Sequence, residues 1–175
     1  MPPFTALLHT QNDALRLGRA LEVLLPCSEI LIVDHYSTDA TRRIARAYGA
    51  RVIAAESQDA ESQDSESHDN VHRYLNLASH DWIFCMQPQE SINENLQVSL
   101  FEWSAQPSHR VASSAAGGLA FSVFVRTQTG EHWLDLPTPE IRLVPRSWPL
   151  WYGRLPAPEP SAVALEGELL RFTLP

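Results

Sequence analysis

The residues best suited to chemistry stand where apolar runs stop. Phe4 to His9 ends at Thr10-Gln11-Asn12, Ile30 to Val33 ends at Asp34-His35-Tyr36-Ser37-Thr38-Asp39, and Trp82 to Met86 ends at Gln87-Pro88-Gln89-Glu90. Ligands of open α/β sheets bind outside the carboxyl ends of strands, so Asp34 stands where a ligand would be met. Gln87 and Gln89 offer neutral amides, poor ligands for a hard dication beside carboxylate, and Glu90 is the one acid of that turn. His72, His80, His109 and His132 are scattered without metal-ligand spacing and read as surface residues. Cys27 and Cys85 form neither a CxxC pair nor a disulfide framework and read as small buried hydrophobes.

The elements that must position these turns follow from the pattern around them. Leu15, Leu17, Leu21, Leu24 and Leu25 recur at roughly helical spacing after the first run. Ala40 to Tyr48 predicts a second helix with Ile44 and Ala47 inward, Ser37, Thr38 or Asp39 as cap, and Gly49 as stop. Arg51 to Ala54 is a third strand, so two β-α-β units imply parallel strands joined by right-handed crossovers. Asn70 to Ala78 and Asn93 to Trp103 are helix-like, the latter with Leu96, Val98, Leu100 and Phe101 as its apolar positions. Leu119 to Arg126, Glu140 to Val144 and Leu169 to Leu174 are further strand candidates. Pro149, Pro156, Pro158 and Pro160 punctuate the tail, which should wrap the domain.

Residues 56 to 69 give one five-residue unit three times, Glu-Ser-Gln-Asp-Ala, Glu-Ser-Gln-Asp-Ser and Glu-Ser-His-Asp, with nothing apolar larger than Ala. Such a segment cannot bury a face and reads as an acidic surface loop. Its recurring oxygens lack the glycine turn and fixed spacing of calcium loops.

A chain of 175 residues, 44% hydrophobic and 9% aromatic, is long enough for one domain with a real core. A net charge of −8 argues against a nucleic-acid backbone or an anionic membrane surface as partner. All thirteen basic residues are Arg. No basic leader and no long apolar run is present, so no transmembrane segment is expected and the expected location is cytoplasmic.

Taken in order, these landmarks resemble the family 2 glycosyltransferases of GT-A fold, in which the first strand ends in Thr-x-Asn and the second in Asp-x-Gly-Ser-Thr-Asp. The likeness continues through Arg42 to Ile53 and through Leu77 to Leu96, which mirrors the family's Ala-x-Gly-Asp-Trp and Asp-x-Asp-Glu segments. A weaker echo at Ile141-Arg142-Leu143 with Tyr152-Gly153 resembles bacterial lipopolysaccharide-type transferases, so the likeness covers about residues 4 to 155.

The resemblance implies an α/β chain with a mostly parallel central sheet flanked by helices and a short mixed-strand C-terminal part. It implies one GT-A-like domain over 1–175, with a nucleotide-binding half at 1–105 carrying the acidic loop and an acceptor-side half at 106–175. The implied ligand is a nucleotide sugar, a UDP-sugar first, near Thr10, Asn12, Asp34, His35, Tyr36, Gln87 and Gln89. Tyr36 stands at the family's glycine and is placed to stack on a base; Thr10 and Asn12 serve either the nucleotide or the cap of the first helix. The family's paired aspartates hold a divalent cation, Mg or Mn, against the diphosphate. Here they fall on Gln87 and Gln89, and Glu90 is the remaining metal candidate; a metal-free alternative would use Arg on the diphosphate. The family's late acid after Tyr152-Gly153 is missing, and Asp135, Glu140 and Glu159 are the acids from which a general base would come. Two functions follow: transfer of a sugar to a saccharide or lipid-linked acceptor, or a non-catalytic descendant that acts as a binding or assembly partner of another protein.

Overall fold

The apolar runs ending at Thr10, Asp34 and Met86 become neighbouring strands because each can be buried on both faces. The computed structural model describes residues 4–24, 27–56, 68–106, 119–134 and 136–173, with 68–70 as backbone alone. The repeat at 57–67, the Gly117-Gly118 pair and Asp135 lie outside the described residues.

β1 (Thr5–Thr10), β2 (Glu29–Asp34), β3 (Arg51–Ala54) and β4 (Trp82–Met86) pair in parallel in the order β3-β2-β1-β4. Along β1 and β2, Ala6, Leu8, Ile30 and Ile32 face one core, where they meet Leu17, Ala20 and Leu21 of α1 (Ala14–Glu22) and Ala45 of α2 (Thr41–Ala47). Leu7, Leu31 and Val33 face a second core with Val71, Tyr74 and Leu75 of α3 (His68–Leu75). Burial on both faces is why these strands read as unbroken apolar runs.

Beyond β4 the sheet turns mixed. β8 (Thr138–Pro145) lies antiparallel to β4 and to β6 (Phe121–Thr129), and β11 (Val163–Arg171) lies parallel to β6. The far edge is β5 (Glu90–Ile92), antiparallel to β11. The short β7 (His132–Trp133) joins β6 by a hairpin, and β9 (Trp151–Tyr152) with β10 (Leu155–Pro156) forms a separate two-stranded ribbon. The mostly parallel first half and mixed C-terminal part agree with the α/β fold expected from the sequence.

α4 (Glu94–Ala105) buries Leu96, Leu100 and Trp103, and Trp103 meets Phe4, Trp82 and Phe121 with ring centroids at 6.2, 5.0 and 5.8 Å. Several local expectations are corrected. Val98 and Phe101 of α4 point outward, as does Leu15 of α1, and in α2 it is Ala45 rather than Ala47 that is buried. β5 falls where a turn leading straight into α4 was expected. Three residues carry too little pattern to announce a strand, and the partner that makes β5 one lies some eighty residues away on β11.

α4 and β11 are locked at one point. Asn93 Oδ1 caps α4 through the Leu96 N–H at 2.9 Å and accepts the Glu168 N–H at 3.0 Å. β11 changes register between Ala164 and Glu168, and Gly167 in that irregularity has φ +96°. A Cβ at Gly167 would lie 2.1 Å from the Leu96 nitrogen. Gly167→Ala should therefore cost roughly 3 kcal/mol, from left-handed strain plus a clash with backbone that cannot rotate away, read as a lower urea midpoint.

Candidate functional site

The two loops that follow β1 and β2 are built from each other. Thr10 Oγ1 donates to Asp34 Oδ1 at 3.3 Å, and Asp34 Oδ2 accepts the Ser37 N–H at 3.1 Å with Arg42 Nε at 3.7 Å. The Asn12 N–H donates to Ser37 Oγ at 2.9 Å, and Asn12 Oδ1 accepts the Thr38 N–H at 2.8 Å. Asp39 reaches the first turns of both helices, accepting the Ala14 N–H at 3.1 Å and the Thr41 N–H at 2.9 Å. Asp39 thus stands one residue before the Ala40 N-cap of α2 and satisfies a first-turn N–H of each helix from outside the cap position. Asn12 caps the loop opposite it and not α1.

Asp34 and Thr10 are buried, so their polar groups organise the loops from within. Tyr36 is half exposed and, with Asn12, is one of two non-glycine residues at positive φ among the described residues, at +56° and +55°. The backbone at Tyr36 adopts a conformation that suits glycine although the side chain is tyrosine. Left-handed strain of about 1–2 kcal/mol per residue is offset by the cross-loop hydrogen bonds, each contributing about 0.5–1.5 kcal/mol net.

His35 points inward instead of to the ligand side. Its Nε2 lies 2.9 Å from His9 Nδ1, and the His9 ring packs edge-on to Tyr74 at 5.9 Å. His9 is half-buried, and its Nε2 is shielded from solvent without a hydrogen-bond partner. Burial first, then the charges of His35 and Arg154, hold His9 well below the usual histidine range. Burial likewise pushes the thiols of Cys27 and Cys85 up to about 12, so neither is a nucleophile at neutral pH.

The Gln87-Pro88-Gln89 turn forms one wall of a cleft of about 180 Å³ at the carboxyl ends of β1 and β4, with His9, Gln11, Asp13 and Arg154 around it. Gln89 Nε2 donates to Gln87 Oε1 at 3.1 Å. Glu90, the metal candidate of the sequence, turns away into the protein and is fully buried. Its Oε1 accepts from Arg142 Nη2 at 2.8 Å and Arg171 Nε at 3.0 Å; its Oε2 accepts from Arg142 Nη1 at 3.0 Å and the Gln87 N–H at 2.8 Å. A cation could reach this carboxylate only by displacing a guanidinium. No cluster of three His, Cys, Asp or Glu among the described residues could hold a metal ion. Carboxylates that fit Mg or Mn are therefore not assembled at the turn.

A second hollow of about 490 Å³ shares Leu155 with the cleft and is lined by Tyr152, Pro158 and the carboxylates of Glu140 and Glu159 among others. Both Glu140 oxygens accept from Arg171 Nη2 at 2.9 Å, and Oε2 also from Arg142 Nη2 at 2.7 Å. Burial works to raise the Glu140 carboxyl, but the Arg171 hydrogen bond and the charges of Arg142 and Arg171 override it and hold it below the usual range. An ion-paired carboxylate of this kind is a poor proton acceptor. Glu159 accepts from Ser161 N and Oγ at 3.3 and 3.1 Å.

Sequence reasoning placed the three strand ends together but assigned no role to His9, Arg142, Arg154 or Arg171. Arg142 was visible only as part of the Ile-Arg-Leu echo. Arg154 stands directly after Tyr152-Gly153, where an acid was looked for. His72, read as a surface residue, packs edge-on to Trp151 at 6.5 Å.

Sheet order, strand-end cleft and loop geometry define an α/β fold of GT-A type. Solved structures share it: Staphylococcus aureus TarS 1–349 at TM-score 0.51 and 16% identity over 77% of this chain and 38% of that one, and the same fragment in complex with UDP-GlcNAc at 0.50 and 17% over 74% and 36%. A mycobacterial protein matches at 0.50 and 18% over 74% and 42%. The chain thus spans well under half the length of these proteins, and at such identities the likeness is one of fold. No protein-family model matches the chain, and no curated protein matches it. No helix among the described residues is long and apolar enough to cross a membrane.

The His9 pair gives a pH prediction with a fixed sign. The unfolded chain takes up a proton near pH 6.5 that folded His9 resists, so this contribution to stability is complete above pH 6.5 and is lost as pH falls below it, at up to about 1.4 kcal/mol per pH unit. Melting temperatures of the wild type and His9→Gln between pH 7 and 5 should converge as pH falls; parallel curves would remove the burial account.

Proposed function

We propose that this chain is a glycosyltransferase-like protein that binds a nucleotide-sugar donor, a UDP-sugar first, across the carboxyl ends of β1, β2 and β4. The observation that carries the reading is the cleft's place in the topology. β2 lies on one side of β1 and β4 on the other, so the cleft sits where strand order reverses, the position at which open α/β sheets bind ligands. The TarS structure of the same fold in complex with UDP-GlcNAc supports this choice of ligand class. On this reading Tyr36 and Asn12, exposed on the loops after β2 and β1, meet the nucleoside, and the Gln87–Gln89 turn meets the phosphates. The continuous sheet from β3 to β5 supports reading the chain as one GT-A-like domain.

A second reading is favoured by a separate observation. The Glu90 and Glu140 carboxylates, which chemistry would need for metal or base, are both held by arginines. On that reading the chain binds a nucleotide sugar without transferring it and serves as a binding or assembly partner.

Thermal shifts with UDP, GDP, CMP and TDP and their sugars test the binding claim. Ligand at a hundred times its Kd adds about 2.7 kcal/mol, a rise of several degrees for a chain of this size. The expected result is a rise with UDP and a UDP-sugar exceeding that with the other bases; no rise with any nucleotide would overturn the proposal. Release of free sugar or product from the nucleotide sugar that binds would decide for transfer over the second reading.

A further inference from the structure

We propose that the cleft at the Gln87-Pro88-Gln89 turn takes the diphosphate of its ligand without a divalent cation, with the Arg154 guanidinium supplying the positive charge and the glutamine amides supplying hydrogen bonds. This rests on the nucleotide-sugar reading but goes beyond it, because it assigns the charge that balances the phosphates to one residue of this chain.

Three observations converge on it. The first is the loss of carboxylate from the cleft. Residues 87 and 89 are amides, and Glu90 is turned inward with each oxygen accepting two hydrogen bonds from Arg142, Arg171 and the Gln87 N–H. Asp13 is the one acid in the lining, and its charge is met by Arg16 Nε at 3.1 Å while its other oxygen accepts the Gln11 N–H at 2.8 Å. A dication entering the cleft would find one compensated carboxylate and a guanidinium that repels it. A diphosphate would find that guanidinium attractive.

The second is the polarity of the glutamine pair. Gln87 Oε1, the atom a cation would use, already accepts from Gln89 Nε2. The Gln87 amide nitrogen is left as a donor, and Gln89 Nε2 retains a second N–H. The pair therefore keeps amide N–H groups beside the cleft, the polarity that suits phosphate oxygens, with Gln89 Oε1 as its one oxygen outside this hydrogen bond.

The third is the placement of Arg154 and His9. Arg154 sits in the β9–β10 turn beside Gly153, at φ +59°, and is exposed while lining the cleft. It is near enough to His9 for its charge to help hold that ring neutral. His9 also lines the cleft, and its Nε2 is the buried polar atom without a partner there. Guanidinium, with its planar fork of donors, is suited to grip phosphate bidentately.

Calorimetric titration of the whole chain with inorganic pyrophosphate, UDP and uridine, each in EDTA and in manganese, tests the inference, with Arg154→Gln measured beside the wild type. Pyrophosphate and UDP are expected to bind in EDTA about as well as in manganese, and Arg154→Gln to weaken both by about tenfold or more while leaving uridine and the melting temperature unchanged. Binding of pyrophosphate or UDP that requires manganese overturns the inference and leaves the nucleotide reading standing. So does metal-free binding that Arg154→Gln does not change. Pyrophosphate binding lost in Arg154→Gln, without any UDP binding, supports the anion site and overturns the nucleotide reading instead. Failure of both pyrophosphate and UDP to bind overturns the inference.

Discussion

The buried ion network of Glu90, Arg142, Arg171 and Glu140 is the constraint on which the rest of the structure depends. Two carboxylates and two guanidiniums cancel in charge, and they tie β5, β8 and β11 to the end of β4, where Arg142 Nη1 also donates to the Cys85 carbonyl at 3.2 Å. Arg142 and Glu90 are both fully buried. Ions withdrawn from water to this extent need their charges met, which both Nη atoms of Arg142 do while its Nε is buried without a hydrogen-bond partner, and removing one ion strands the other at a cost of about 3–5 kcal/mol. The mixed half of the sheet is thereby fixed to the parallel half at a polar point within an otherwise apolar layer.

The same network shapes the cleft. Glu90 Oε2 holds the Gln87 N–H, so the turn that forms the cleft wall is anchored from inside by a buried carboxylate. That acidic side chain is structural, and the turn itself lines the cleft with glutamine amides. The loops after β1 and β2 show a parallel economy of polar groups. Asp34, Thr10, Asn12, Ser37, Thr38 and Asp39 satisfy each other and the helix N-termini, leaving the Tyr36 side chain outward. Polar residues at strand ends thus divide into those that build the rim and those that face outward, a distinction that residue type alone does not draw.

That division marks the limit of what the sequence carried. β1, β2 and β4 were legible because strands buried on both faces read as apolar runs, β3 as the short edge strand that completes the second β-α-β unit, and α1, α2 and α4 because period and punctuation agree. Glu90 was the metal candidate as the acid that remains where the turn resembles Asp-x-Asp-Glu, and its partners Arg142 and Arg171 lie 52 and 81 residues away. Arg142 sits between Ile141 and Leu143 in a run that reads as apolar, and nothing local shows that its charge is compensated. Arg154 is hidden differently: it follows Tyr152-Gly153, where the family resemblance implies an acid, and no local pattern marks a base there as part of a cleft. Contacts of high sequence separation decide all three, and periodicity does not reach them.

The central claim is that Glu90 is the counter-ion of a buried network and not a ligand of the cleft. Urea unfolding of Glu90→Ala, Arg142→Met and the double variant tests it most directly. The account predicts that each single change costs about 3–5 kcal/mol and that the double costs less than their sum by about 1–3 kcal/mol, the mark of a direct pair. Glu90→Ala within about 0.5 kcal/mol of the wild type, the range of an ordinary surface substitution, would contradict it and return Glu90 to the cleft.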